Sequence, residues 1–220
     1  MTTAIIGVGN IGGAVARDLV RAGERVVLAA RDESHAEAVA KDLGDLATAA
    51  SVRDAIAAGD VVVLAIWLEQ SKELVPTIAD LLAGKVVVDP SNPIGFDDDG
   101  KPVRTLPDGV SAGSVVAGLV PAGARYVKAF GTLGAQSLAA EADRAPRRVL
   151  FYATDDEVAR AAAGRLIRAA GFEPVEAGGV EAAARLEVPG GDLHQNGGLN
   201  GRVLDLDEAR TAVATAPAAE

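Results

Sequence analysis

The chain predicts an α/β protein built on a doubly wound parallel sheet, with a smaller α/β annex towards its C-terminal end. Three observations carry that prediction. Short apolar, β-branched runs recur, and the one at residues 61–66 is continuous, as in strands that a parallel sheet buries on both faces. Segments of helical spacing alternate with these runs over short loops. The 220 residues are 49% hydrophobic and 24% charged, an ordinary globular composition, and their number suits one large domain or one domain with an annex.

Each element has a local reason. Residues 3–6 are a buried first strand ending at Gly7. Residues 12–22 place Val15, Ala16 and Leu19 on one helical face and Arg17, Asp18 and Arg21 on the other, and Gly23 closes the helix. A second strand is expected at 25–29 and a second helix at 34–43. A brief strand at 46–49 leads to Ser51, an N-cap for a helix at 52–58. The strand at 61–66 precedes a helix at 72–82 and a fifth strand at 85–89. Residues 90–107 carry Pro90, Pro93, Pro102 and Pro107 and read as a loop, with Asp97, Asp98 and Asp99 as its solvated tip. A helix at 111–120 and a strand at 126–130 follow. After a turn and helix at 131–140 come a strand at 148–153, a helix at 156–170 and a last strand at 172–175. The Ala-rich stretch from about residue 211 reads as a frayed, disordered tail.

Composition excludes several function classes. A net charge of −10 disfavours a nucleic-acid partner, because phosphate backbones need basic patches. No run approaches the ~18 apolar residues of a membrane span, and the N-terminus lacks a basic leader, so a cytoplasmic protein with no membrane partner is expected. With no cysteine and two histidines, thiolate chemistry and a metal site are unsupported.

The chemistry lies in Gly7-Val8-Gly9-Asn10-Ile11-Gly12, a G-x-G-x-x-G between a strand and a helix. Gly7 permits the turn, Gly9 lets backbone approach a pyrophosphate, and Gly12 lets helix pack on strand. The helix start offers free N–H groups and the positive end of its dipole. An NAD enzyme would carry a carboxylate for the ribose at the end of the second strand. Here that point is Ala30, followed by Arg31, whose guanidinium can pair with a 2′-phosphate. NADP is therefore favoured over NAD, with Asp32 as the residue a rotated loop could offer to NAD instead. No Tyr-x-x-x-Lys follows Tyr126 or Tyr152, so the chain lacks that proton-donating pair. Hydride transfer between two flat heterocycles needs no such acid; it needs stacked placement and exclusion of water.

The segments Ile5 to Gly12, Ala30-Arg31-Asp32, Asp89-Pro90-Ser91-Asn92-Pro93 and Val127-Lys128-Ala129-Phe130-Gly131-Thr132-Leu133 together resemble the NADP oxidoreductase family dependent on the deazaflavin coenzyme F420. The same Rossmann module occurs in STEAP-type metalloreductases. The resemblance implies a Rossmann-type NADP-binding domain at 1–150 and a subdomain at 151–210 that completes an acceptor cleft. It implies that Gly7, Val8, Gly9, Asn10, Ile11 and Gly12 hold the pyrophosphate and that Ala30, Arg31 and His35 surround the 2′-phosphate. Ala65, Ile66 and Trp67 would line the nicotinamide side. Asn92 and Pro93, with Thr132 and Leu133, would line the cleft where a deazaflavin (F420) or flavin acceptor stacks, and a homodimer is implied. The family often has a hydroxyl residue at position 30, Lys at position 35 and Asn or His at position 131, where this chain has Ala30, His35 and Gly131.

Other single residues carry two readings. Trp67 is either a ring wall or ordinary packing, and His194 is either an acceptor contact or structural. Lys128 reads as a surface or helix-capping residue. The function expected is NADPH-dependent hydride transfer to a deazaflavin or flavin-like acceptor, by positioning and without a catalytic acid. Two alternatives stay open: an NADPH-dependent reductase of a small organic substrate, and a non-catalytic NADP-binding sensor module.

Overall fold

The computed structural model describes residues 1–215. Its first half runs β1 (Thr3–Ile6), α1 (Asn10–Arg21), β2 (Val26–Ala29), α2 (Glu33–Leu43), β3 (Ala47–Ala49), α3 (Val52–Ala58) and β4 (Val61–Leu64). Then come α4 (Leu68–Thr77), α5 (Ala79–Leu82), β5 (Val86–Asp89), β6 (Ile94–Phe96), β7 (Pro102–Arg104), α6 (Ala112–Leu119), β8 (Arg125–Ala129) and α7 (Ala135–Glu141). The chain continues through β9 (Val149–Ala153), α8 (Glu157–Ala169), β10 (Glu173–Gly178), a 3-10 segment (Val180–Leu186) and α9 (Leu206–Ala214).

Eight strands form one sheet in the order β10-β9-β8-β5-β4-β1-β2-β3. Strand β1 lies at its centre, parallel to β2 on one side and β4 on the other, and all four of its residues are buried. Its side chains alternate between two cores, as the pleat requires. Ile5 joins the core under α1 and α8, while Ala4 and Ile6 join the core under α3, α4 and α6. The chain leaves β1 towards β2 and β3, then returns across the sheet to β4. A crevice opens at that switch point, outside the carboxyl ends of β1 and β4.

The sheet is not wholly parallel. β8 pairs antiparallel with β9, and β9 and β10 then extend the same sheet, so the expected division near residue 150 falls inside β9. Other differences have local causes. The expected loop at 90–107 contains an antiparallel hairpin, β6 with β7, in which Ile94 is paired with Arg104. Pro102 sits at the start of its strand, where a missing N–H is tolerated. The helix expected from residue 72 begins at Leu68, because Gln70 Oε1 turns back to accept the N–H of Trp67 at 3.2 Å. It is interrupted at Ile78, two residues after Pro76. Part of the expected tail is helical as well: Asp205 accepts the N–H of Glu208 at 3.0 Å, and Glu208 returns the contact to Asp205 N–H at 3.1 Å, capping α9. Residues 216–220 lie outside the described residues.

Asp18 is a charged group buried inside this core. It is 3% exposed, its Oδ1 accepts from Arg21 at 2.8 Å, and its Oδ2 has no partner among the described residues. Burial raises its pKa above the usual carboxylate value, against the opposing pull of Arg21. A carboxyl whose pKa is raised on folding weakens the fold where it is ionised, and the penalty fades as pH falls towards the unfolded value. Asp18→Asn should therefore stabilise by about 1 kcal/mol near pH 7, the scale of one strained buried polar group. That gain should vanish below about pH 4. Urea midpoints for both proteins across this range test it; a gain that persists undiminished in acid contradicts the assignment.

Candidate functional site

The crevice widens into one cleft of about 960 Å³. Gly7, Gly9, Asn10 and Ile11 line one end of it, Ala30 and Arg31 border the same end, and Ala65, Ile66 and Trp67 form its side. At the other end stand Ser91 and Asn92 after β5, Gly131, Leu133 and Gly134 after β8, and Val188, His194 and Asn196 from the C-terminal segment.

The glycine loop is shaped by close backbone approach. Gly7 has φ +94°, and a Cβ there would lie 2.7 Å from Ile66 Cγ2 and collide with the Ala65 carbonyl. A Cβ on Gly12 would strike the Gly7 carbonyl and come within 2.9 Å of Ala65 Cβ. Gly9 differs from both. Its φ of −70° suits any residue, and no protein atom lies within 4 Å of where its Cβ would stand. The protein's own packing does not demand glycine at position 9; a group lying against the backbone would. Helix α1 starts there with no side-chain cap and no acidic residue in its first turn, leaving N–H groups free for an anion. A pyrophosphate fits that cradle.

Arg31 is exposed and lines the cleft, and no salt bridge engages it among the described residues. Asp32 beside it is already committed. Its Oδ1 accepts the Ser34 hydroxyl at 2.7 Å and the Ser34 N–H at 3.1 Å, capping α2 and holding its pKa below the usual carboxylate value. The carboxylate that could favour NAD is thus tied to the helix start, while the guanidinium is free.

Several expected residues fall elsewhere. Val8 is buried in the core behind the loop, and Gly12 serves helix–strand packing. His35 is exposed on α2, away from the cleft wall. Pro93 is buried, and its carbonyl accepts from Thr105 N–H at 2.9 Å. Thr132 is 2% exposed and off the wall, between wall residues Gly131 and Leu133. Trp67 is 54% exposed at the rim, its ring edge-on to Phe96 with centroids 6.0 Å apart. Asn92 braces three segments: its Nδ2 donates to the Gly131 carbonyl at 3.2 Å, and its Oδ1 accepts the Val188 N–H at 2.9 Å. His194 is 3% exposed; burial first, then the charge of Lys128, lowers its pKa to about 4, so the imidazole is neutral near pH 7.

Sequence reasoning missed the framework beneath the cleft. Lys128 is not a surface residue but 1% exposed. Its Nζ lies 3.1 Å from Asp89 Oδ2 and 3.1 Å from Glu187 Oε1, and it donates to the Ser91 carbonyl. Tyr126 donates to Asp89 at 2.7 Å, and Glu187 accepts the N–H groups of Ala112 and Gly113 at the start of α6, at 2.8 and 2.7 Å. The polar side chains of Gln70, Glu73 and Thr77, on the cleft side of α4, were likewise not anticipated. Their helical spacing of three to four residues was the available signal.

Known proteins resemble the chain. A model of the family described as NADP oxidoreductase coenzyme F420-dependent matches residues 2–93. Over 184 residues the chain is 30% identical to metalloreductase STEAP3 of Rattus norvegicus; this covers 84% of the chain but 35% of that protein, about a third of its length. It is 28% identical over 197 residues to the F420-dependent NADP reductase of Methanothermobacter thermautotrophicus, covering 85% of each. The solved structure of a hypothetical protein, SMa0349, of Sinorhizobium meliloti superposes with a TM-score of 0.80 at 33% identity, over 94% of this chain and 96% of that one. No described helix is long and apolar enough to cross a membrane. Over its first 93 residues the chain is thus similar to the F420-dependent family of NADP oxidoreductases, and over most of its length to an F420-dependent NADP reductase.

Proposed function

We propose that this enzyme passes hydride between NADP(H) and a deazaflavin (F420) or flavin-like acceptor held in the same cleft. One observation carries the reading: the glycine loop and Arg31 share a single continuous cleft with Ser91, Asn92, Leu133 and His194. At about 960 Å³ it stands near the top of the range for small-molecule sites, as two stacked ring systems require. The F420-dependent reductase of Methanothermobacter supports the choice of acceptor. NADP(H), when bound, supplies the hydride. The chain's own residues bind, orient and shield: the N–H groups at the start of α1 receive the pyrophosphate, Arg31 the 2′-phosphate, and Ala65 to Trp67 border the nicotinamide. In this reading catalysis rests on placement of the two ring systems. The reading takes the enzyme to be a cytoplasmic homodimer with small-molecule partners only.

Arg31→Ala should weaken NADP binding by about 1–3 kcal/mol, the scale of a charge-assisted contact, and leave NAD binding nearly unchanged. Calorimetry giving equal losses for both nucleotides would contradict that role.

Gly9→Val and Gly12→Val should both abolish NADP binding, for different reasons. The Gly9 variant should keep its melting temperature, because its side chain enters open space. The Gly12 variant should lose about 1–3 kcal/mol or more by overpacking against Gly7. A Gly9 variant with native NADP affinity would refute the loop assignment.

The reaction itself is tested by mixing protein, NADPH and oxidised deazaflavin and following the deazaflavin absorbance. Bleaching is expected. If NADPH binds in the same sample and no bleaching occurs, the deazaflavin reading fails and a small organic acceptor takes its place.

A further inference from the structure

We infer that Phe96 and Trp67 form the outer wall of the acceptor site, a wall that grips the outer ring of an extended planar acceptor. The inference rests on the reading that a hydride acceptor enters the cleft, and it adds which side chains hold that acceptor at the mouth.

Two aromatic rings from different parts of the chain meet at the rim. Trp67 follows β4 and lines the cleft, and Phe96 ends β6. Their centroids are 6.0 Å apart and their planes cross at 80°. An edge-on pair uses the face of one ring and the edge of the other, so three of the four ring faces take no part in it. Trp67 is 54% exposed and Phe96 60%. Covering that apolar area with a ligand is favourable.

Strand β6 carries the cleft wall outwards. Ile94 lines the cleft, and Phe96, two residues on, stands on the same face of the strand. The opposite face is occupied: a Cβ on Gly95 would come within 2.8 Å of the Thr105 methyl. A lone two-stranded hairpin is marginal by itself, and this one is fixed at its base. Ile94 N–H donates to the Asn92 carbonyl at 2.8 Å, and Thr105 N–H to the Pro93 carbonyl at 2.9 Å. Arg104, paired with Ile94 across the hairpin, donates to the carbonyls of Leu106 at 3.1 Å, Val110 at 2.6 Å and Pro189 at 3.4 Å. Phe96 is thereby held in place relative to Asn92, which itself bonds Gly131 and Val188.

The occupant follows from shape and charge. A small carbonyl compound fills little of the cleft and leaves both rings in water. A planar acceptor of several rings reaches the mouth and lays its outer ring on them. A second copy of the chain is disfavoured there. Asp97 and Asp98 adjoin Phe96, Glu69 lies two residues past Trp67, and all three are exposed. Two-fold pairing through this patch would set those acids face to face in a protein of net charge −10. Because the rim touches a ring and not the reacting atoms, it holds ground state and transition state alike. It therefore acts on KM and not on kcat.

The test is steady-state reduction of deazaflavin by NADPH, with the affinity of oxidised deazaflavin measured by calorimetry on the NADP-bound protein. Wild type, Phe96→Ala and Phe96→Tyr are compared. Phe96→Ala should raise the deazaflavin KM and Kd about tenfold, with kcat changed by less than about twofold. Phe96→Tyr, which keeps the ring, should recover nearly the wild-type values. NADPH affinity and melting temperature should hold in both variants, because the side chain is exposed. A Phe96→Ala protein with native deazaflavin KM and Kd, beside a wild type that bleaches deazaflavin, overturns this inference and leaves the acceptor reading standing. Equal losses of NADPH and deazaflavin affinity with a falling melting temperature overturn it too. A Phe96→Ala protein that changes only its oligomeric state in sedimentation assigns the rim to a second copy and overturns it as well. A wild type that binds NADPH but not deazaflavin overturns the acceptor reading, and this inference with it.

Discussion

Lys128 is buried at the junction of β5, β8 and the C-terminal segment, and the geometry of the cleft around Ser91, Asn92 and Gly131 follows from that burial. An ammonium removed from water is tolerated only where opposite charge and hydrogen bonds replace its hydration. Asp89 supplies them from the neighbouring strand, where the β5–β8 register sets it opposite Lys128. Glu187 supplies them from beyond the 3-10 segment. One cation against two carboxylates leaves an excess of negative charge, and the protein answers it with donors. Tyr126 and the Ser91 N–H satisfy Asp89, and two backbone N–H groups at the positive end of α6 satisfy Glu187. Such a cluster adds little net stability over a well-packed apolar core. What it adds is position, because each member must stand where its partners are.

The residues that line this end of the cleft lie close in sequence to that cluster. Ser91 and Asn92 follow Asp89, Val188 follows Glu187, and Gly131 lies three residues past Lys128. Asn92 then ties Gly131 and Val188 together from the cleft side. Between Ala129 and Gly131 the chain turns through Phe130, whose φ of +65° is costly for a fully buried aromatic residue. That strain is held by the packing around it, and it delivers Gly131 against Pro90. The nucleotide end is built differently. Gly7 approaches the Ala65 backbone and Gly12 approaches Gly7 and the Ala65 methyl, and the start of α1 beside them carries no side-chain cap.

These two styles of construction account for what the sequence revealed. The glycine loop, Arg31 and the central strands were legible because their signals are local: a spacing, a charge after a strand, an unbroken apolar run. Lys128 was misread because a lone lysine near a strand end looks solvated, and its partner Asp89 is 39 positions away. Only strand register puts the two side by side. The β6–β7 hairpin was hidden by its prolines and its run of aspartates. In fact Asp97 uses its side chain to accept the N–H groups of Asp99 and Lys101 and so closes the turn. His194 and Asn92 were legible as candidates, but not their bonding, which depends on the C-terminal segment crossing to meet the ends of β5 and β8.

The overall charge shows why local design has to prevail at the nucleotide end. A protein of net charge −10 repels a polyphosphate at long range, more strongly at low salt. Attraction is confined to a few ångströms at the cleft: a helix start with no acidic residue in its first turn, and a guanidinium without a carboxylate partner. Asp32, the acid nearest to Arg31 in sequence, is held by Ser34 in a helix cap, and Glu73 also lines the cleft. In the proposed reading, selectivity for the phosphates comes from where acids have been withdrawn or occupied, as much as from where bases have been placed. At the Ser91 end of the cleft, the buried acids Asp89 and Glu187 neutralise Lys128 beneath the wall. On that reading, a cleft with the Arg31 guanidinium at one end and a charge-balanced framework at the other orients an anionic nucleotide in a single direction.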